Sequence, residues 1–192
     1  PALSLVVTPT RIPDVRRVEP VVHGDARGFF TETYRENLYR DHGIDSSFVQ
    51  DNLSFSRGNV IRGLHVQNPS SQAKLVYVLQ GEVFDVAVDV RGGSPTFGHW
   101  VGEVLSADNH RQLFIPQGFA HGFAVLSETV LFAYKCSDYY DSGAEFTVRW
   151  DDPDVGIEWP LSDPILSEKD LRGSRLRDID TERLRFPDLP AV

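Results

Sequence analysis

Between Glu82 and Val90 the chain alternates with a period of two. Phe84, Val86, Val88 and Val90 fall on one side, and Val83, Asp85, Ala87 and Asp89 on the other. Successive side chains of a strand point to opposite faces, so this stretch predicts a β-strand. The same period recurs in Lys74–Leu79 and Val130–Tyr134, and strands are also expected within Asp14–Val22, Phe29–Tyr34 and Phe48–Phe55. Turn-forming residues separate them at His23–Gly28, Arg57-Gly58-Asn59, Gly92–Pro95, Ala107-Asp108-Asn109 and Ser142-Gly143. Arg35–His42 predicts a short helix stopped by Gly43. A second helix is expected to open at Ser167-Glu168-Lys169-Asp170, because serine followed by acids is a helix-start pattern.

Many short strands with few helices predict an all-β sandwich or jelly roll rather than a βαβ sheet. No repeat, low-complexity tract or linker divides the sequence. Residues 1–192 are therefore expected to form one domain, with the polar stretch 163–192 wrapping around it.

Charge and cysteine usage narrow the partners. With 28 acidic against 19 basic residues the formal net charge is −9, which argues against nucleic acid and against an anionic membrane, since both reward a basic surface. A small anion would need a locally basic site. No apolar run approaches the ~20 residues of a membrane helix, and no basic-then-apolar leader pattern opens the sequence. The one cysteine, Cys136, allows no intrachain disulfide, so a reducing compartment, the cytoplasm, is expected.

Two stretches carry chemistry. Ile61–Gln67, with its sequel Gln72–Val76, places Arg62, His65 and Lys74 in one strand-turn-strand unit. Arginine grips phosphate or carboxylate through two parallel hydrogen bonds, histidine takes a proton near neutral pH, and lysine is a compact charge. Ile115–Phe123 adds His121 in a turn-rich setting. Strict alternation puts Arg62 and His65 on opposite faces; either Gly63 marks a bulge that reunites them, or a ligand extends around the barrel mouth.

By residue type alone these side chains have plainer uses. His65 reads as a hydrogen-bonded core or surface residue, Tyr134 as a core aromatic with its hydroxyl satisfied, and Lys74 as a solvated charge. Cys136 reads as a small packed residue. His121 either braces the Pro116–Gly118 turn or touches a ligand. Of Asp85 and Asp89, one is expected to be a buried acceptor and the other solvated, with no catalytic role for either.

Pro116-x-Gly118-x-x-His121 resembles the second motif of the cupin superfamily, which implies a double-stranded β-helix, or jelly roll, with a few short helices mostly towards the C-terminus. Metal-binding cupins carry His-x-His in the first motif, but the matching place here reads His65-Val66-Gln67. An amide is a poor ligand for a divalent transition metal, so no metal site is expected. The ordered series Asp25-x-Arg27-Gly28-x-Phe30-x-Glu32, Gln50-Asp51-Asn52-x-Ser54, Arg62-Gly63-Leu64-His65 and Gln72-x-Lys74-Leu75-Val76 is more specific. It continues through Gly81-x-Val83-x-Asp85-Val86, Asp89-x-Arg91-x-x-Ser94-Pro95-x-Phe97-Gly98, Tyr134-Lys135, Trp150-Asp151-Asp152-Pro153 and Leu166-Ser167-x-Lys169-Asp170. This series, from about Val15 to Asp170, resembles the dTDP-4-dehydrorhamnose 3,5-epimerases.

The resemblance implies conversion of dTDP-4-dehydro-6-deoxy-D-glucose to dTDP-4-dehydro-L-rhamnose in dTDP-L-rhamnose biosynthesis, without any cofactor. It implies His65 as base with Asp170 as its partner, Tyr134 as proton donor across the sugar ring, and Lys74 on the enolate oxygen. It assigns Arg27 and Arg62 to the diphosphate. Glu32, Gln50, Asn52, His121, Glu145 and Lys169 take other contacts to the nucleotide sugar, and Tyr140 lies near the thymine or sugar. Arg27 and Glu32 are implied to come from a strand exchanged with a second subunit, hence a homodimer. The rival readings are a mono-epimerase at C3 or C5, a non-catalytic sugar-nucleotide-binding cupin, and a metal-dependent cupin oxygenase.

Overall fold

A computed structural model describes residues 5–187 and Leu189; the ends of the predicted single domain and of the wrap-around segment, residues 1–4, 188 and 190–192, lie outside the described residues. One sheet runs, in spatial order, β1 (Leu5–Pro9), β2 (Arg16–Pro20), β10 (Gln112–Ile115), β7 (Lys74–Gln80), β12 (Thr129–Cys136) and β5 (Gln50–Arg57). The second runs β13 (Glu145–Thr147), β6 (Ile61–Gln67), β11 (Phe119–Val125), β8 (Glu82–Asp89) and β9 (Trp100–Ser106). From β5 to β8, and again from β9 to β13, consecutive strands alternate between the two sheets, and the pairings are antiparallel. This is the expected jelly roll. A separate hairpin of β3 (Val22–Asp25) and β4 (Gly28–Thr31) stands apart from both sheets.

The apolar faces form three layers of core. Val76, Val78, Val130 and Phe132 of the first sheet meet Val83, Ala87, Phe119 and Phe123 of the second in the barrel interior. The outer face of the second sheet, with Leu64, Val86, Val88 and Ala120, is covered by Val155, Trp159, Leu176 and Leu184 from the C-terminal segment. On the outer face of the first sheet, Val18, Leu75 and Phe114 pack against Tyr39 and Ile44. Tyr39 belongs to the predicted first helix, α1 (Glu36–Asp41), which ends before Gly43 in a left-handed conformation, φ +84°. Strand β8 is thus buried on both faces, which explains why valines fall on both sides of its alternation.

Four expectations need correction. The turn expected at His23–Gly28 is confined to Ala26-Arg27, because Val22–Asp25 pairs with Gly28–Thr31 as a hairpin. The stretch after Gly118 is a strand, not part of a turn-rich region: every residue of β11 is buried, and only Pro116–Gly118 turns. Predicted strand Phe29–Tyr34 ends at Thr31. Neither Asp85 nor Asp89 is solvated, because both are fully buried. Asp89 is satisfied by Arg91, Ser94 and Thr96, so local hydrogen bonds replace water around its charge.

Candidate active site

Strand register assembles one polar end of the barrel interior. On β12, Tyr134 lies between Val76 of β7 and Asn52 of β5, and Cys136 between Lys74 and Gln50. Val76, Phe132 and Val130 face the interior core, so the same parity carries Tyr134 and Lys74 to that face. Opposite them, His65 pairs with His121 of β11 and with Thr147 of β13, while Gln67 pairs with Glu145. Side chains from both sheets therefore converge on one cavity end.

Arg62 and His65 share a face because β6 carries an additional residue. Arg62 pairs with Phe123 and His65 with His121, so three steps along β6 oppose two along β11. Such a bulge shifts side-chain parity by one. Gly63 makes it possible: its φ is +113°, and a Cβ there would lie 2.6 Å from the His121 carbonyl oxygen and 2.7 Å from the Gly122 Cα. Arg62 is held by Nε–H donation to Ser56 Oγ at 2.8 Å and by a bond to the Phe55 carbonyl at 3.1 Å. Of the two alternatives for Gly63, the bulge is the one present.

His65 Nε2 and Asp170 Oδ1 are 2.6 Å apart, although 105 residues separate them in sequence. Asp170 sits in α2 (Glu168–Leu171), whose N-cap is Ser167, as the start signal predicted; the Asp170 N–H donates to Ser167 Oγ at 3.1 Å. Its second oxygen, Oδ2, accepts the Gly63 N–H at 3.1 Å, tying the carboxylate to the bulge. Burial pushes this carboxyl up, but hydrogen bonds from His65, Gly63 and Ser167 outweigh it and hold the pKa below the usual range. With Nε2 engaged, the ring's free nitrogen, Nδ1, faces the cavity, 4.0 Å from Glu145 Oε1. An imidazole so placed can accept a proton at Nδ1 while the carboxylate stabilises the cation.

A second pair lies deeper. His121 Nε2 meets Asp85 Oδ2 at 2.8 Å, and its ring stacks on Phe132 at 6.1 Å. Burial pushes the Asp85 carboxyl up and the His121 imidazole down, each opposed by the other's charge. Asp85 Oδ1 is buried without a hydrogen-bond partner. Lys74 stands nearby with its ammonium 5.9 Å from the Tyr134 ring centre; burial pulls its pKa down, opposed by Cys136, Glu145 and Asp85. Lys74 is therefore a partly buried charge rather than a freely solvated one. The Tyr134 phenol, half-buried against the interior core, is pushed up by burial. Cys136 is a buried packed residue, as read from the sequence.

A solvent-open recess is lined by His65, Gln67, Gln72, Lys74, Tyr140 and Glu145 among others. Glu145 accepts from Tyr140 Oη at 3.0 Å and from Lys169. Burial raises its pKa, but the Lys169 hydrogen bond and the charge of His65 prevail and keep it ionised. Gln50 joins the rim by accepting the Tyr140 N–H at 3.0 Å and donating to Asn52 at 3.3 Å.

Two predicted residues are not brought here within one chain. Arg27 lies on the β3–β4 hairpin, with its side chain 90% exposed and paired to Asp25. Glu32 pairs with Arg35 at 2.9 Å, close enough to Tyr39, on the outer face of the first sheet, to raise its phenol. Sequence reading passed over Gln67 except as a missing metal ligand, and it gave Asp85 no part at the site. Their signal was a polar residue at an inward-facing position of a strand. Among the described residues, no three His, Cys, Asp or Glu side chains are grouped to hold a metal ion.

A family model described as dTDP-4-dehydrorhamnose 3,5-epimerase matches residues 9–178. A Pseudomonas aeruginosa protein of that name is 55% identical over 88% of this chain and 94% of its own length. A Neisseria gonorrhoeae protein of the same name is 52% identical over 93% of this chain, which spans only 55% of that relative. The crystal structure of a dTDP-6-deoxy-D-glucose-3,5-epimerase from Legionella pneumophila, in complex with dTDP-4-keto-L-rhamnose, superposes with a TM-score of 0.92 at 51% identity, covering 94% of this chain and 97% of that one. By the length matched and the identity, this chain belongs to the dTDP-4-dehydrorhamnose 3,5-epimerase family.

Proposed function

We propose that the protein inverts C3 and C5 of dTDP-4-dehydro-6-deoxy-D-glucose to give dTDP-4-dehydro-L-rhamnose, in the route to dTDP-L-rhamnose. The observation that carries this reading is the 2.6 Å contact between His65 and Asp170 at a recess that Lys74 also lines. A proton next to a ketone is removed by a base while positive charge holds the developing enolate oxygen. His65 Nδ1 is the base, Asp170 orients and steadies the ring, and Lys74 holds the enolate. Tyr134, on the opposite sheet from His65, delivers a proton to the other face of the sugar.

Arg62 grips the diphosphate, and Gln50, Asn52, His121, Tyr140, Glu145 and Lys169 take the remaining nucleotide-sugar contacts. Arg27 and Glu32 serve the recess of a second copy, making the working unit a homodimer. The projecting hairpin supports this, with Phe29 and Phe30 exposed at 63% and 64%. A buried free thiol suits a reducing compartment, which supports the cytoplasm as the site of the reaction.

Proton NMR of the 4-dehydro sugar nucleotide with the enzyme in heavy water tests the activity. Deuterium at both C3 and C5 is the expected result. Label at one carbon only would replace the reading by mono-epimerisation, and no exchange with intact dTDP binding would reduce the protein to a binding module.

A further inference from the structure

Gln67 is 4% exposed, yet none of its hydrogen bonds goes to another side chain. Its amide nitrogen donates to the Ser70 carbonyl at 2.6 Å and to the Tyr139 carbonyl at 2.9 Å, while its amide oxygen accepts the Asp141 N–H at 2.9 Å. Two more glutamines act on the same few residues. Gln72 donates to the Asp138 carbonyl at 2.8 Å, and Gln50 accepts the Tyr140 N–H at 3.0 Å. Four consecutive residues, Asp138 to Asp141, are therefore each bound through the main chain by a glutamine from another part of the barrel.

The segment so held is the one that completes the recess. Tyr140 is 55% exposed, so packing alone does not fix it, but its hydroxyl donates to Glu145 Oε2 at 3.0 Å. The Asp141 carbonyl in turn accepts the Glu145 N–H at 3.1 Å. Gln67 is the member of the three that reaches two points of the segment and lies directly beside Glu145 in the strand register. An amide suits the position because it offers two donors and an acceptor on one planar group. A histidine, with one nitrogen on each side of its ring, could not bind two carbonyls and an N–H at once.

We infer that Gln67 is a positioning residue that clamps Asp138–Asp141 so that Tyr140 and Glu145 stand over the recess as a preformed wall for the nucleotide sugar. The inference rests on the function proposed above for that recess. A wall fixed before binding spares the ligand the ordering of a loop, so its loss weakens binding more than the proton transfer at His65.

The test uses Gln67→Met, which keeps the length and removes all three bonds, and Gln72→Met, which removes one. Steady-state kinetics on the 4-dehydro sugar nucleotide are paired with amide hydrogen exchange of the substrate-free protein. For Gln67→Met, KM is expected to rise by about tenfold, with kcat within about threefold of the parent. The Tyr139–Asp141 amides should exchange faster while those of β8 keep their protection. Gln72→Met is expected to show the same pattern at smaller size. Gln67→Glu should recover part of the lost affinity as pH falls, because only a protonated carboxyl can donate to a carbonyl.

A fall in kcat at unchanged KM in either variant would overturn the inference, as would unaltered exchange at Tyr139–Asp141. If Gln67→Met does not fold, Gln72→Met alone decides. Should the parent enzyme show no turnover, the proposed function fails instead; the exchange data then still report whether the glutamines hold the segment.

Discussion

The barrel contains two histidine–carboxylate pairs in adjacent strands, and they differ mainly in access to water. His65–Asp170 lies at the mouth, with the imidazole 29% exposed, the carboxylate anchored by the Gly63 N–H, and the Asp170 backbone N–H held by Ser167, the N-cap of α2. His121–Asp85 lies behind it, nearly sealed, with one carboxylate oxygen unpartnered. Identical functional groups at similar separation thus receive opposite bias. The outer carboxyl is held ionised and can support an imidazolium; the inner pair is pushed towards its uncharged forms by burial. Hydration and hydrogen-bond count, not residue type, decide which imidazole can cycle a proton.

Five substitutions bear on this contrast. His65→Asn should have the largest effect, a loss of about 10³-fold or more in kcat with dTDP affinity nearly unchanged, read by turnover and calorimetry. His121→Asn should retain more turnover; equal losses would erase the distinction between the pairs. Asp170→Asn should lower kcat by about 10²-fold, since the ring loses both its orientation and its counter-charge. Its pH signature has a definite sign. A carboxyl with a depressed folded pKa stabilises above the unfolded value of about 4 and loses that contribution as pH falls through the folded one. The parent's stability advantage over Asp170→Asn should therefore shrink in acid, as followed by urea unfolding at several pH values.

Gly63→Ala should destabilise by about 3 kcal/mol in denaturant unfolding, combining an unfavourable positive φ with a clash against the His121 and Gly122 backbone. It also sharpens the contrast, because Gly63 anchors Asp170 while lying against the strand that carries His121. The smallest effect is expected for Asp85→Asn. A carboxyl with a raised folded pKa contributes most below about pH 4 and loses that contribution as pH rises past the folded value. Asparagine keeps an acceptor for His121 without a buried charge. Its melting temperature at pH 7 should equal or exceed the parent's, with kcat down about tenfold; marked destabilisation would show the inner pair to be an ion pair.

Much of the fold was legible where one segment supplied its own pattern. The β8 alternation, the Gly43 helix stop and the Ser167 cap are local, and each appears where the residues place it. β1, β9, β10 and β13 were passed over, because β1, β10 and β13 are too short to show a period and the seven residues of β9 mix their faces. Tertiary burial made β11 a strand despite two glycines in and just before it. At the site, the types of Arg62, His65 and Lys74 announced chemistry, but nothing in their spacing pointed to Asp170. That pairing reached the sequence reading only through family resemblance, as did the exclusion of Arg27 and Glu32 from their own chain's recess. The Arg62–His65 face conflict was a true reading of strand geometry, and its resolution lies in the backbone freedom of one glycine.

The placement of Asp170 has a consequence for biogenesis. A growing polypeptide emerges from the ribosome with His65 long before α2, so the imidazole is made without its counter-ion. Only when α2 docks beside β6 does the dyad close. Chains clipped ahead of Ser167 would keep all thirteen described strands yet lack the acid half of the pair.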